Sequence, residues 1–304
     1  MPGQGAEAVP PARGGIRGHA REAEGDRRRV QEGALTRDVD LAELRALAVE
    51  LAGRAAAIHR EGRSRPLEVK EKSSSGDLVS QIDAEAERAI VDGLTAARPH
   101  DAILGEEGTD RAGTTGVRWI VDPLDGTANY VTGYPAYAVS IGVEVDGEPA
   151  VGVIADSVRG MMYSAHRGGG AMRDDRPIRP SERTDLRACL IATGFGYSVQ
   201  ERRAQAEIVR HVLPRVADIR RSGSAAFDLA AVAAGSVDGF YEVQLAPWDV
   251  AAGRVIALEA GARVELLPVE GTDHAATIAA PPQLFDELLS LLRAAGLQVE
   301  RAGG

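Results

Sequence analysis

The sequence has a single cysteine, Cys189, in 304 residues. That excludes an intramolecular disulfide and any cysteine-based zinc cluster, and it fits a reducing compartment. No stretch reaches the roughly 18 consecutive apolar residues of a membrane-spanning helix. The N-terminal MPGQGAEAVPPARGG lacks the apolar core of a secretory signal. Positive charge is also short: 35 Lys and Arg stand against 45 Asp and Glu, a net charge of −10. A general nucleic-acid binder, or a protein of an anionic membrane surface, needs the opposite sign. These absences predict a cytoplasmic protein with neither nucleic acid nor membrane as partner. Its histidines are scattered without an HExxH, and no GxSxG elbow occurs. Gly194-Phe195-Gly196 lacks the third glycine of a dinucleotide loop, because Val199 stands in that place.

What the chain does have is ordinary globular composition, 44% hydrophobic and 26% charged. Residues 1–35 are the exception. They are rich in Gly, Pro and Arg and poor in bulky aliphatics, and a disordered tail is expected there. Folding is expected from near Asp38. Leu41, Leu44, Leu47, Leu51, Ala55 and Ile58 recur at helical spacing behind Asp40 as N-cap. A second helix is expected over 83–97. Strand patterns follow at 102–104, 119–121, 136–145, 151–154 and 161–165, with Asp146-Gly147 as a hairpin turn. Beyond about 181, strand and helix alternate: 189–193, 201–211, 218–221, 224–234, 239–243, 248–260, and a last helix at 282–295. The division expected is an N-terminal α+β part over 36–180 and a C-terminal α/β part over 181–300.

The chemistry concentrates in carboxylates. Trp119-Ile120-Val121 forms a strand that runs into Asp122-Pro123-Leu124-Asp125-Gly126-Thr127. Pro123 cannot continue a hydrogen-bonded ladder, and Gly126 permits a tight turn and close approach of a ligand. Two acids this close share a proton or a cation, and all-oxygen ligation suits Mg²⁺ or Mn²⁺ rather than zinc. Residues 103–108 repeat the design, an apolar strand ending in Glu106-Glu107 between glycines. Asp249, in Trp248-Asp249-Val250-Ala251-Ala252-Gly253, opens an apolar helix, where by itself it reads as an N-cap.

Taken together and in this order, the three motifs resemble the inositol monophosphatase family of magnesium-dependent, lithium-sensitive phosphatases. The likeness extends to 133–142, 223–235 and 239–242, and covers about 36–300. The resemblance implies a layered α/β/α/β/α sandwich and a homodimer. It implies side-chain metal ligation by Glu106, Asp122, Asp125 and Asp249, with the Leu124 carbonyl as a further ligand. Two or three Mg²⁺ ions are implied, with Mn²⁺ as a substitute. Glu106 and Thr127 would position and activate the attacking water, with Asp83 accepting from the threonine hydroxyl. Lys72 resembles the basic residue near the outer metal. The Gly126 and Thr127 amides would cradle the phosphate; Asp125, Asp249, Glu242, Gly223, Ser224 and Ala225 would face the substrate.

The expected substrate is a small phosphorylated metabolite, first myo-inositol 1-phosphate. Histidinol phosphate and fructose 1,6-bisphosphate are the alternatives on the same fold, with nucleotides lower. Ala128 departs from the Thr or Lys often found after the family's Asp-Gly-Thr and leaves substrate choice open. A metal- or phosphate-binding module without catalysis is the rival of another class.

Overall fold

The first helix starts where the sequence supplies a cap. The Asp40 carboxylate accepts from the amides of Ala42 and Glu43, and α1 runs Leu41–Gly62. Its buried face is Leu44, Ala48, Leu51, Ala52 and Ala55, the expected helical stripe. The computed structural model describes residues 39–71 and 78–300; the expected tail and Lys72 lie outside the described residues. From Asp40 onward the described residues belong to one compact unit. Among them no helix is long and apolar enough to cross a membrane.

A short ribbon follows, β1 (Val69–Glu71) against β2 (Leu78–Ser80). The second helix, α2, is Gln81–Ala97 and begins two residues before its expected start. The reason is a capping box. The Ser80 hydroxyl accepts from Ile82 N–H, while the Asp83 side chain reaches back to Ser80 N–H. Asp83 is therefore inside the first turn, with its carboxylate already committed.

The first sheet has eight strands: β3 (Ala102–Gly105), β4 (Asp110–Arg111), β5 (Val117–Asp125), β6 (Ala138–Val145), β7 (Glu148–Asp156), β8 (Met161–His166), β9 (Ala171–Arg173) and β10 (Arg176–Pro177), ordered β10-β9-β8-β7-β6-β5-β3-β4. Of its neighbours only β3 and β5 run parallel; the remaining pairs are antiparallel. The β6–β7 hairpin turns at Asp146-Gly147, both at positive φ (54° and 81°), as a type I′ turn demands. Trp119 is fully buried in β5, and its indole N–H donates to the Asp101 carboxylate at 2.9 Å.

The second sheet has five strands: β11 (Leu190–Thr193), β12 (Asp218–Arg220), β13 (Gly239–Val243), β14 (Arg263–Pro268) and β15 (Ala275–Ala280), ordered β12-β11-β13-β15-β14. The parallel pairs β11–β12 and β11–β13 match the expected alternation. The antiparallel pair β14–β15 was not expected from the sequence. β15, Ala-Ala-Thr-Ile-Ala-Ala, is nearly all small residues and lacks the β-branched signal of a strand. It is almost wholly buried, so sheet pairing overrides propensity.

Helices α4 (Val199–Val212) and α7 (Pro282–Ala294) cover the outer face of the second sheet, in one cluster with Ile191, Tyr241 and Ile278. Helices α5 (Ala225–Ala233) and α6 (Pro247–Ala260) lie between the two sheets, in one cluster with Ile154 of β7 and Phe240 of β13. Helices α1 and α2 pack on each other and on the far side of the first sheet. The result is the α/β/α/β/α sandwich.

Candidate active site

The site begins at an interruption in β5. Its pairing with β6 is regular to Asp122 and resumes at Asp125 with a register shift. Pro123 has no N–H to give the ladder, so the chain bulges there. Inside the bulge Leu124 N–H donates to Asp122 Oδ1 at 2.9 Å. The Leu124 side chain is fully buried with Ile82, Tyr130 and Tyr137, which anchors the bulge from below. Gly126 then takes φ 93°, and α3 (Thr127–Thr132) starts directly after it. A side chain at Gly126 would crowd the carbonyls of Ala136 and Gly223. Asn129 ties the turn down, donating to Ala136 O and Ser222 O at 2.6 and 2.9 Å.

Asp249 arrives from the other sheet's side. It is the third residue of α6, one turn inside the N-cap position, and its Oδ2 accepts from Ala246 N–H at 2.7 Å. It is thus not the simple N-cap that its motif by itself suggests. What brings it close is a pair of glycines. Gly142 of β6 lies opposite Gly152 of β7, and any side chain there would overlap Ala251 or the Ala252 carbonyl of α6. The helix backbone therefore rests on the sheet, and Ser140 Oγ donates to Trp248 O at 3.1 Å.

The outcome is a three-carboxylate cluster. One oxygen each from Asp122, Asp125 and Asp249 lies within 4.8 Å of the others. Asp122 is 1% exposed, and burial pushes its pKa well above the ordinary range, with repulsion from Glu106, Asp125 and Asp249 adding to that. Asp125 is pushed up to about 6 by burial, against the lowering effect of its bonds from Ser224 Oγ and Ala226 N–H, each 2.7 Å. Crowded hard oxygen donors with raised pKa values fit a divalent cation, which would replace the missing protons as the neutralising charge.

Beside the cluster stands the pair that handles a hydroxyl. Thr127 Oγ1 lies 2.7 Å from Asp83 Oδ1 and 3.1 Å from Leu124 O. Its one proton goes to the nearer, charged acceptor. The other oxygen of Asp83 accepts from both the amide and the hydroxyl of Ser80, at 2.8 and 2.6 Å. Burial raises the Asp83 pKa against these bonds, and Glu106 raises it further. Glu106 follows β3 in the next turn and shares a hydrogen bond with Asp122.

A cleft of about 400 Å³ opens in front of Asp125 and Asp249. Gly223, Ser224, Ala225 and Glu242 line it. Burial and the nearby Asp228, Asp249 and Asp125 carboxylates push the Glu242 pKa well above its usual value. The cleft also contains residues not expected there, including Phe195, Tyr197, Arg221, Gln244 and His274. A side chain at Gly194 would overlap the Glu242 carboxylate, a contact between residues far apart in sequence.

Comparisons with known proteins show what the chain as a whole is similar to. Over 276 residues the chain is 45% identical to the inositol-1-monophosphatase of Mycobacterium bovis, covering 84% of this chain and 95% of the relative. The solved structure of Mycobacterium tuberculosis SuhB superposes with a TM-score of 0.74 at 43% identity, over 86% of this chain and 100% of that one. SuhB from Bartonella henselae gives 0.77 at 36%, over 84% and 98%. A protein named Nus factor SuhB from Xylella fastidiosa is 45% identical over 194 residues, 64% of this chain and 70% of that protein. These likenesses make the chain a phosphoric monoester hydrolase. It belongs to the inositol monophosphatase family, whose profile matches residues 40–296.

Proposed function

We propose that the chain is a Mg²⁺-dependent phosphomonoesterase for a small polyol phosphate, with myo-inositol 1-phosphate as first substrate. The observation that carries this is the Asp122, Asp125 and Asp249 cluster standing beside the Thr127–Asp83 hydrogen bond. The residues to hold Mg²⁺, in two or three ions or with Mn²⁺ instead, are Glu106, Asp122, Asp125 and Asp249 with the Leu124 carbonyl. Bound there, the cations lower the pKa of water and neutralise the phosphate dianion.

The protein's own groups do the positioning. Because Thr127 donates its proton to Asp83, its oxygen lone pairs are left to accept from an attacking water. Glu106 takes the second hydrogen bond of that water and aims it at phosphorus. The Gly126 and Thr127 amides receive the phosphate oxygens. Glu242, with Gly223, Ser224 and Ala225, receives the alcohol hydroxyls. Lys72, by the family resemblance, would be the basic residue serving the outer cation. The same reading takes the enzyme as a lithium-sensitive, cytoplasmic homodimer by the family resemblance, and the net charge of −10 supports the absence of nucleic-acid and membrane partners. The name Nus factor SuhB on one relative sets the corresponding test, a gel-shift titration with structured RNA.

The main test is phosphate release from inositol 1-phosphate and histidinol phosphate in parallel, with Mg²⁺ and with chelator. Mg²⁺-dependent preference for the inositol ester is expected. Preference for histidinol phosphate keeps every ligand and changes the substrate. Thermal stabilisation by Mg²⁺ with no phosphate released from any ester would replace the enzyme by a binding module.

A further inference from the structure

Asp83 has a companion on the same helix. Glu87 lies one turn further along α2, 5% exposed, and takes no part in the chemistry above. Its carboxylate is nonetheless fully engaged. Oε2 accepts from Glu107 N–H at 2.8 Å, and Oε1 accepts from Thr109 Oγ1 at 2.6 Å and Thr109 N–H at 3.3 Å. These donors flank the turn that carries Glu106. Gly105, just before it, has no side chain, and one placed there would overlap the Glu87 carboxylate. Gly105 N–H closes the turn onto Thr109 O at 2.7 Å, and Glu106 N–H donates to Val121 O at 3.1 Å. The turn is thus gripped from two sides, by β5 and by Glu87.

The grip has a reason. Glu106 stands close enough to Asp83, Asp122 and Asp125 to raise the pKa of each, and it shares a hydrogen bond with Asp122, so its place beside the cluster depends on the turn that carries it. We propose that Glu87 is a positioning residue, whose buried carboxylate fixes the 105–109 turn so that Glu106 stays directed into the carboxylate cluster. The proposal rests on the reading above, in which Glu106 serves a divalent cation. It gives α2 two tasks: Asp83 orients the Thr127 hydroxyl, and Glu87, on the same rigid helix, orients Glu106.

The test uses the full chain, stripped with chelator and titrated with Mn²⁺ in a calorimeter, with Mg²⁺-activated phosphate release measured alongside. Glu87→Gln keeps the shape but replaces an acceptor by a donor facing an N–H. It is expected to weaken Mn²⁺ binding and raise the Mg²⁺ half-saturation about ten- to hundredfold, the usual effect of losing a ligand's supporting bond. KM for inositol 1-phosphate at saturating Mg²⁺ stays within about twofold, since Glu87 does not face the cleft. Thr109 separates positioning from simple loss of charge, because it carries none. Thr109→Val is expected to weaken Mn²⁺ severalfold, and Thr109→Ser, which keeps the hydroxyl, to restore it.

Glu259→Gln is the structural control. That carboxylate holds the 168–170 turn at the far end of α6, and its loss lowers the melting temperature without moving Mn²⁺ affinity. Mn²⁺ binding by Glu87→Gln within twofold of wild type overturns the proposal. If Glu87→Gln does not fold, equal Mn²⁺ affinity in Thr109→Val and Thr109→Ser overturns it instead. Weakened Mn²⁺ binding in a protein that hydrolyses no ester sinks the phosphatase reading and leaves the positioning role standing.

Discussion

Two groups of carboxylates in this fold are partnered differently. On α2, Asp83 and Glu87 each collect three hydrogen bonds from protein donors. At the end of β5 and the start of α6, Asp122, Asp125 and Asp249 turn oxygens toward one another. In the first group the donors offset much of the cost of burial, although Asp83 is still raised above its ordinary value. The second carries an electrostatic cost that a cation removes. The difference assigns the roles: satisfied carboxylates orient other groups, and crowded ones bind charge.

The comparison can be broken most severely at Asp122. Asp122→Asn removes a ligand and a repelling charge at once. It is expected to reduce kcat/KM by at least about a thousandfold while raising the melting temperature of the metal-free protein. Activity within tenfold of wild type contradicts the assignment. Asp83→Asn is the matching change in the other group. Its expected signature is a loss of about a hundredfold in kcat, nearly unchanged Mn²⁺ affinity, and a metal-free protein destabilised by about 1–2 kcal/mol. If the two variants shift metal-free stability in the same direction, the division between the groups fails.

A milder test acts on the scaffold between them. Gly152→Ala forces α6 off the sheet, since the new methyl would overlap the Ala252 carbonyl. Denaturant unfolding should show a loss of about 1–3 kcal/mol, with weaker Mn²⁺ binding because Asp249 moves.

The smallest expected effect is on pH dependence. A carboxyl whose pKa rises on folding contributes most below its unfolded value, and the contribution fades as pH rises through the folded one. Asp122 and Glu242 are raised well above the usual range, Asp228 to about 7 and Asp125 to about 6. His59 acts in the other sense: burial lowers it to about 3, so its contribution is lost as pH falls below the unfolded value near 6.5. Between about pH 8.5 and 6.5 the carboxyls therefore decide the slope. Metal-free protein should melt a few degrees higher at the lower end. Saturating Mg²⁺ should flatten that slope, leaving the share of Asp228 and Glu242. An unchanged slope on adding Mg²⁺ goes against cation binding by the cluster.

Local signals in the sequence mark the paired acids Asp122 and Asp125, while Asp249 joins them only through the resemblance to the inositol monophosphatase family. A strand that runs into Asp122-Pro123-Leu124-Asp125-Gly126 announces both its end and its acids, and Asp249 sits in a helix start. Asp40 as a cap and Asp146-Gly147 as a hairpin turn were legible for the same reason. The helix start at Gln81 was within reach too, through Ser80 and Asp83 as a capping box. What stayed hidden is nonlocal. Nothing near Gly142 or Gly152 says that a helix from 100 residues further on will lie against them. Glu87 reads as one more charge on an amphipathic helix until the fold brings the 105–109 turn to it. β15 stayed hidden because an Ala-rich strand gains its preference from burial.

The central claim is that the end of β5 and the start of α6 form one cation site. Calorimetric titration of chelator-stripped protein with Mn²⁺, on wild type, Asp122→Asn and Asp249→Asn, tests it most directly. The account predicts measurable binding by wild type and at least about tenfold weaker binding by each variant, although the two residues come from different layers of the fold. Wild-type affinity retained by Asp249→Asn would contradict it.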